Sequence, residues 1–144
     1  MQKVFLILLT LVFISCGDSH IVNDSPSRLD PLTGECELYF KTEDLCLKAA
    51  WELMPTSSDF GSMILTFTDL KNPGVLVAPI HTPFVVLWMT SMGHGSSPVS
   101  VENLEPGKFR IKDVFFIMPG PWDIKYQLKD GELVVDEVVQ KIEV

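Results

Sequence analysis

Apolar residues recur at every second position through most of this chain, and that period restricts it to sheet. Leu45, Leu47, Ala49, Trp51 and Leu53 alternate with Cys46, Lys48, Ala50 and Glu52. Met63, Leu65 and Phe67 repeat the pattern, as do Trp122, Ile124, Tyr126 and Leu128 against Asp123, Lys125 and Gln127. Successive strand side chains point to opposite faces, so each segment offers one face to a core and one to water. Pro55-Thr56-Ser57-Ser58, Asn72-Pro73-Gly74, Glu105-Pro106-Gly107 and Asp130-Gly131 supply turns between them. The last is a strong hairpin signal, because Asp-Gly accepts the positive φ of a tight turn. Val75 to Met89 reads as one longer apolar strand, kinked or bulged at Pro79 and Pro83. The final segment, Glu132 to Val144, carries apolar residues on both phases: Leu133, Val135 and Val139 on one, Val134, Val138 and Ile142 on the other. Either both of its faces are covered or a bulge shifts the phase. No stretch holds a helical period for more than a turn, and no repeat is visible. About seven strands separated by turns predict an all-β chain, an immunoglobulin-like antiparallel β-sandwich.

The amino-terminal region is organised differently. Lys3 precedes an apolar run from Val4 to Ile14, followed by Ser15 and Cys16. The run is shorter than the roughly 20 residues of a transmembrane anchor. A charged start, a short apolar core and a small residue at the cut describe a secretory signal. Phe13-Ile14-Ser15-Cys16 resembles the lipobox of bacterial lipoproteins, with Phe13 in place of the usual aliphatic residue. The resemblance implies that residues 1–15 are a signal peptide that is removed. Cys16 would then carry a diacylglycerol and an acylated (palmitate-type) amino terminus, attaching the chain to the membrane without a transmembrane helix. Residues 16–34 then form the lipidated cysteine and a flexible tether, polar and broken by Pro26 and Pro31. Residues 35–144 form the domain. Gly17 stands where an aspartate would retain a lipoprotein at an inner membrane. Attachment to the outer membrane, facing the periplasm, is therefore expected in a two-membrane cell.

Charge and cysteine content fit that address. The net charge is −8, and loss of Lys3 with the signal makes the mature chain still more acidic. Such a surface is repelled by phosphate backbones, so a nucleic-acid partner is excluded from the expectations. With Cys16 reserved for lipid, two of the three cysteines remain, Cys36 and Cys46, ten positions apart. In an oxidising compartment they close a disulfide; the competing use, a two-thiolate metal site, needs reduced sulfur.

The chemistry-bearing residues lie between Trp88 and Trp122. Trp88-Met89-Thr90-Ser91-Met92-Gly93-His94-Gly95 places two thioethers and an imidazole in a glycine-containing loop, and Phe116-Ile117-Met118-Pro119-Gly120-Pro121-Trp122 adds a third thioether. Met92 and His94, one residue apart, share a side if that stretch is extended. Soft thioethers with imidazole suit Cu(I), and the indole of Trp88 is placed to shield an ion or make a cation–π contact. Met89 and Met118 also have a packing role open to them as core fillers, Trp122 as a core anchor, and His81 as a structural residue at a strand break.

From about Pro79 to Val144 the sequence is similar to the YtkA-like domain, related to the extracytoplasmic part of FixH-like proteins. The similarity is carried by Trp88-Met89-x-x-Met92-Gly93-His94-Gly95, by Leu104-x-Pro106-Gly107-x-Phe109, and by Phe116-x-Met118-Pro119-Gly120-Pro121-Trp122-Asp123-Ile124. Thr90 replaces the family's usual proline. The resemblance implies an exported immunoglobulin-like domain associated with copper handling, and it implies no enzymatic activity. The residues agree on the last point. There is no phosphate loop, no His-Glu-x-x-His and no Gly-x-Ser-x-Gly, and Asp69, Asp113, Asp123 and Asp136 are too scattered for an acid–base pair. Two expectations follow. One is a lipid-anchored protein that binds Cu(I) through Met92, His94 and Met118, with Met89 as a fourth group, and serves an envelope oxidase or copper transporter. The other is a non-catalytic interaction module that contacts another envelope protein through an edge strand or the 88–96 loop.

Overall fold

The computed structural model describes residues 36–144, so the signal segment, Cys16 and the tether lie outside the described residues. The described chain is all-β. Its strands are β1 (Leu38–Phe40), β2 (Leu45–Leu53), β3 (Gly61–Asp69), β4 (Thr82–Met89), β5 (His94–Gly95), β6 (Ser100–Glu105), β7 (Lys108–Val114), β8 (Pro121–Asp130) and β9 (Leu133–Glu143). They form two antiparallel sheets, ordered β1-β2-β3-β7-β6 and β5-β4-β8-β9. Without β1 and β5 these are the four-on-three orders of an immunoglobulin constant-type sandwich. Nine strands replace the expected seven or so because β1 and β5, of three and two residues, are too short to show a period.

Alternation does what the sequence predicts in β3 and β8, where every second residue is buried, and β4 alternates as well. In β2 only Leu45 and Leu47 are buried, while Ala49 and Trp51 are half-buried and Leu53 is 58% exposed. Phe40, Leu47, Leu65, Phe67, Ile111, Val114, Trp122, Ile124, Tyr126 and Leu128 fill the space between the sheets. Phe67 stands edge-on to Phe109 with ring centroids 5.7 Å apart. The upper end of the sandwich carries the β2–β3, β4–β5 and β7–β8 connections. The lower end carries the β1–β2, β6–β7 and β8–β9 turns.

Two expectations need correction, and one left open is resolved. Val75 to Met89 is not one strand. Only Thr82–Met89 is, while Val75 to Val77 lies along the end of β3 through Asp69 N–H to Val75 O (3.1 Å) and Val77 N–H to Phe67 O (3.1 Å). Glu43 ends the connection. Its carboxylate, 4% exposed, accepts from the Ile80 N–H (2.7 Å) and the His81 N–H (3.1 Å) and lies 2.6 Å from His81 Nδ1. The hairpin between β8 and β9 forms, but its loop is Gly131-Glu132, with φ 58° at Gly131 and Asp130 still paired to Leu133. The two-phase apolar pattern of β9 resolves as a bulge, since Leu128 pairs with Asp136 and Lys129 with Val134, leaving Val135 extra. The disulfide reading holds and the thiolate-site reading does not, because Cys36 and Cys46 are bonded with Cα atoms 5.6 Å apart.

Candidate metal centre

The upper end carries the residues singled out from the sequence. β4 ends at Met89 and turns through residues 90–93, closed by hydrogen bonds from the Met92 and Gly93 N–H groups to the Met89 carbonyl, 3.2 and 3.0 Å. Gly93 supplies φ 68°, a conformation that strains a residue bearing a Cβ. The turn makes Met89 and His94 direct cross-strand partners, and directly opposed residues share a face of the sheet. Met89 is 2% exposed, so the shared face is the inner one, and His94 follows it into half-burial. On its other side β4 pairs with β8 as Leu87↔Ile124 and Trp88↔Asp123, which sets Trp122 beside Met89. Trp122 in turn pairs with Ile142 of β9. One inward-facing row therefore crosses the sheet as His94, Met89, Trp122 and Ile142. The His94 and Trp122 rings meet edge to face with centroids 6.5 Å apart.

Met118 reaches the same corner from the β7–β8 loop. The Trp122 indole N–H donates to the Met118 carbonyl at 3.0 Å, and Phe116 packs on Trp122 with centroids 5.3 Å apart. Met118 is half-buried against the core. The Met89 terminal methyl lies 3.4 Å from where a Cβ would stand on Gly120, so glycine there leaves Met89 room beside this loop. Met92 is placed differently. It sits in the turn, 59% exposed, because the chain reverses at Gly93 rather than continuing extended to His94. Trp88 also departs from its expected place: it lies on the outer face with Lys125 Nζ 5.5 Å from its ring. The indole at the corner is Trp122, which serves as core anchor and site wall together.

The His94 ring is suited to ligation. Its Nδ1 lies 3.3 Å from the Gly95 carbonyl. A proton held there leaves the Nε2 lone pair available, the arrangement common to metal-binding histidines. Among the described residues no three His, Cys, Asp or Glu side chains come together as a metal-binding group, so a metal reading rests on methionine sulfur. Two thioethers and an imidazole fit a soft monovalent ion such as Cu(I).

The turn is tied down by a carboxylate that sequence reasoning passed over. Thr90 Oγ1 donates to Asp123 Oδ2 at 2.7 Å, and Lys141 Nζ lies 2.9 Å from Oδ1. The Thr90 hydroxyl and, less strongly, the Lys141 ammonium hold the Asp123 carboxyl below its ordinary value. A carboxyl depressed by folding stabilises the fold above its unfolded pKa of about 4 and loses that contribution as pH falls through the folded value. Acid titration followed by NMR is therefore expected to loosen residues 90–93 below pH about 4, with the Asp123 midpoint under that of an exposed aspartate. Thr90→Val should move the midpoint back up; an unchanged midpoint would show that the hydroxyl does not hold the turn.

No protein-family model, curated protein or solved structure matches this chain.

Proposed function

We propose that this chain is a lipid-anchored envelope protein whose sandwich takes up Cu(I) at its upper end, through Met89, His94 Nε2 and Met118. Its role would be copper buffering or delivery to an envelope oxidase or a copper transporter. The observation that carries the reading is the cross-strand pairing of Met89 with His94 on the inner face beside Trp122. Met92, exposed in the turn, is the thioether through which an ion would pass between the corner and a partner. The lipobox-like residues before Cys16 and the similarity to YtkA-like domains support the address and the metal. Cys36 is bonded to Cys46 near the lower end of β2.

A second reading is favoured by the same end of the molecule. Leu53, Met54, Phe60, Met92 and Ile117 are all large, apolar and exposed around it. Methionine-rich apolar surfaces adapt to partners, so an interaction module without metal would also dock here. Anaerobic Cu(I) titration against a competing chelator separates the two. Stoichiometric binding is expected, weakened at least about tenfold, or 1.4 kcal/mol, by His94→Ala and by Met89→Leu, which conserves core volume. Met92→Leu should slow transfer to an acceptor while changing affinity by less than about threefold, under 0.7 kcal/mol. Absence of stoichiometric binding would remove the metal reading and leave the interaction module.

A further inference from the structure

We propose that β9 is a self-association edge, joining two copies of this chain antiparallel about a two-fold axis at Val139. The inference is independent of any metal. A sheet edge presents unpaired N–H and C=O groups, and natural sandwiches blunt their edges by shortness, charge or bulges. Among the described strands, three of the four sheet edges offer no long regular stretch. β1 has three residues and β5 has two, while β6 carries Glu102 and Glu105 and a bulge between Asn103 and Glu105. β9 also carries charges and a bulge at Val135, but it is the longest edge, with 11 residues, and the bulge lies in its lower part, which leaves a regular stretch from Glu137 to Glu143.

Only part of β9 is open. Its lower part is occupied, since the Thr42 N–H donates to Asp136 Oδ2 at 2.7 Å and the Thr42 hydroxyl to the Val135 carbonyl at 3.4 Å, beside the bulge. Val144 and Gly120 exchange both backbone hydrogen bonds, 2.8 and 3.0 Å, so the Val144 backbone points towards β8. Backbone groups alternate in direction along a strand. Glu143, Lys141, Val139 and Glu137 therefore direct their N–H and C=O groups outward, and their side chains lie on the outer face.

Charge selects one register for a second copy. A two-fold axis perpendicular to the sheet keeps inner and outer faces aligned, so outward residues pair with outward residues. Centring on Val139 sets Glu137 opposite Lys141 twice, with the two Val139 side chains, each 42% exposed, covering one another between them. Centring on Glu137 or Lys141 opposes like charges. Centring on Gln140 opposes Glu137 to Glu143, and centring on Val138 opposes Glu137 to Val139. Lys141 Nζ contacts Asp123 Oδ1 within its own chain and has further N–H donors to spare. Opposite charges directly across a pair stabilise it, and like charges do the reverse.

Disulfide trapping in the full-length chain at the membrane reads the register directly. In a hydrogen-bonded antiparallel pair the Cα atoms are about 5.5 Å apart, within disulfide reach. Val139→Cys is therefore expected to give a covalent dimer on mild oxidation. Lys141→Cys places its two Cα atoms about 14 Å apart and should give at least tenfold less. Both positions are exposed, and Lys141→Cys gives up only a surface contact with Asp123, which Thr90 still holds. Glu137→Lys in the Val139→Cys background should cut the yield several-fold by opposing lysine to lysine. No dimer at Val139, equal yields at 139 and 141, or indifference to Glu137→Lys would each overturn the proposal.

Discussion

Replacing Trp122 by alanine is expected to lower the unfolding free energy by about 3–5 kcal/mol. Trp122 is 1% exposed and is among the largest fully buried side chains. It joins four parts of the fold: Met89 on β4, Ile142 on β9, Phe116 in the β7–β8 loop and His94 on β5. Truncation removes that apolar contact and opens a cavity the β-ladders on both sides keep from collapsing. It also leaves the Met118 carbonyl without its indole donor. Trp122→Phe keeps a ring in the row and loses the hydrogen bond and some volume, so a smaller loss, about 1–2 kcal/mol, is expected. A domain of this size commonly has only about 5–15 kcal/mol in hand. Urea unfolding of the three proteins measures both steps, with an unchanged m-value confirming a common two-state transition. A loss below about 1 kcal/mol for the alanine variant would show that the row His94–Met89–Trp122 is not the keystone of the upper end.

The same row explains what could and could not be read from sequence. Period two was legible in Met63–Phe67 and Trp122–Leu128 because each strand buries one face only. The reading of one strand over Val75–Met89 failed in its first half, where apolar residues before Thr82 follow a loop rather than a strand. Val75 to Val77 is held by β3, and Glu43, 37 residues away from Ile80 in sequence, fixes where the connection stops. β5 carries no local signal at all. Two residues count as a strand only because the turn at Gly93 sets His94 opposite Met89. The disulfide was readable from the cysteine spacing. Which thioether stands beside the imidazole was not, since it depends on a reversal and on inter-strand register. Met92 is nearer to His94 in sequence, yet the β4–β5 pairing chooses Met89. The choice of Trp122 over Trp88 has the same origin, because one position along a strand exchanges inner face for outer.

Breaking the Cys36–Cys46 bond should lower stability by about 3 kcal/mol, and most of the structural consequence should fall on β1. The bond closes a ring of chain between positions ten apart. Without it the unfolded chain recovers the entropy that this closure withholds. In the folded state β1 is held to the sheet by only three partner pairs, Leu38↔Leu47, Tyr39↔Cys46 and Phe40↔Leu45. Yet Phe40 is fully buried and packs on Phe67 with centroids 5.9 Å apart. A three-residue strand with so short a ladder depends on its ends, one fixed by the disulfide and the other by Thr42 on β9. Releasing one end makes local opening of β1 far cheaper than global unfolding. A Cys36→Ala/Cys46→Ala variant should therefore melt earlier than the oxidised chain, and hydrogen exchange at Leu38–Phe40 should accelerate much more than at β8. Equal acceleration at β1 and β8 would mean that the bond acts only through the unfolded state. An unchanged melting midpoint would mean that the bond adds nothing to stability and that packing of Phe40 alone holds β1. The expected pattern, early loss of β1 with β8 still protected, would also leave the Met89–His94 corner standing, because β4, β5 and β8 lie in the other sheet.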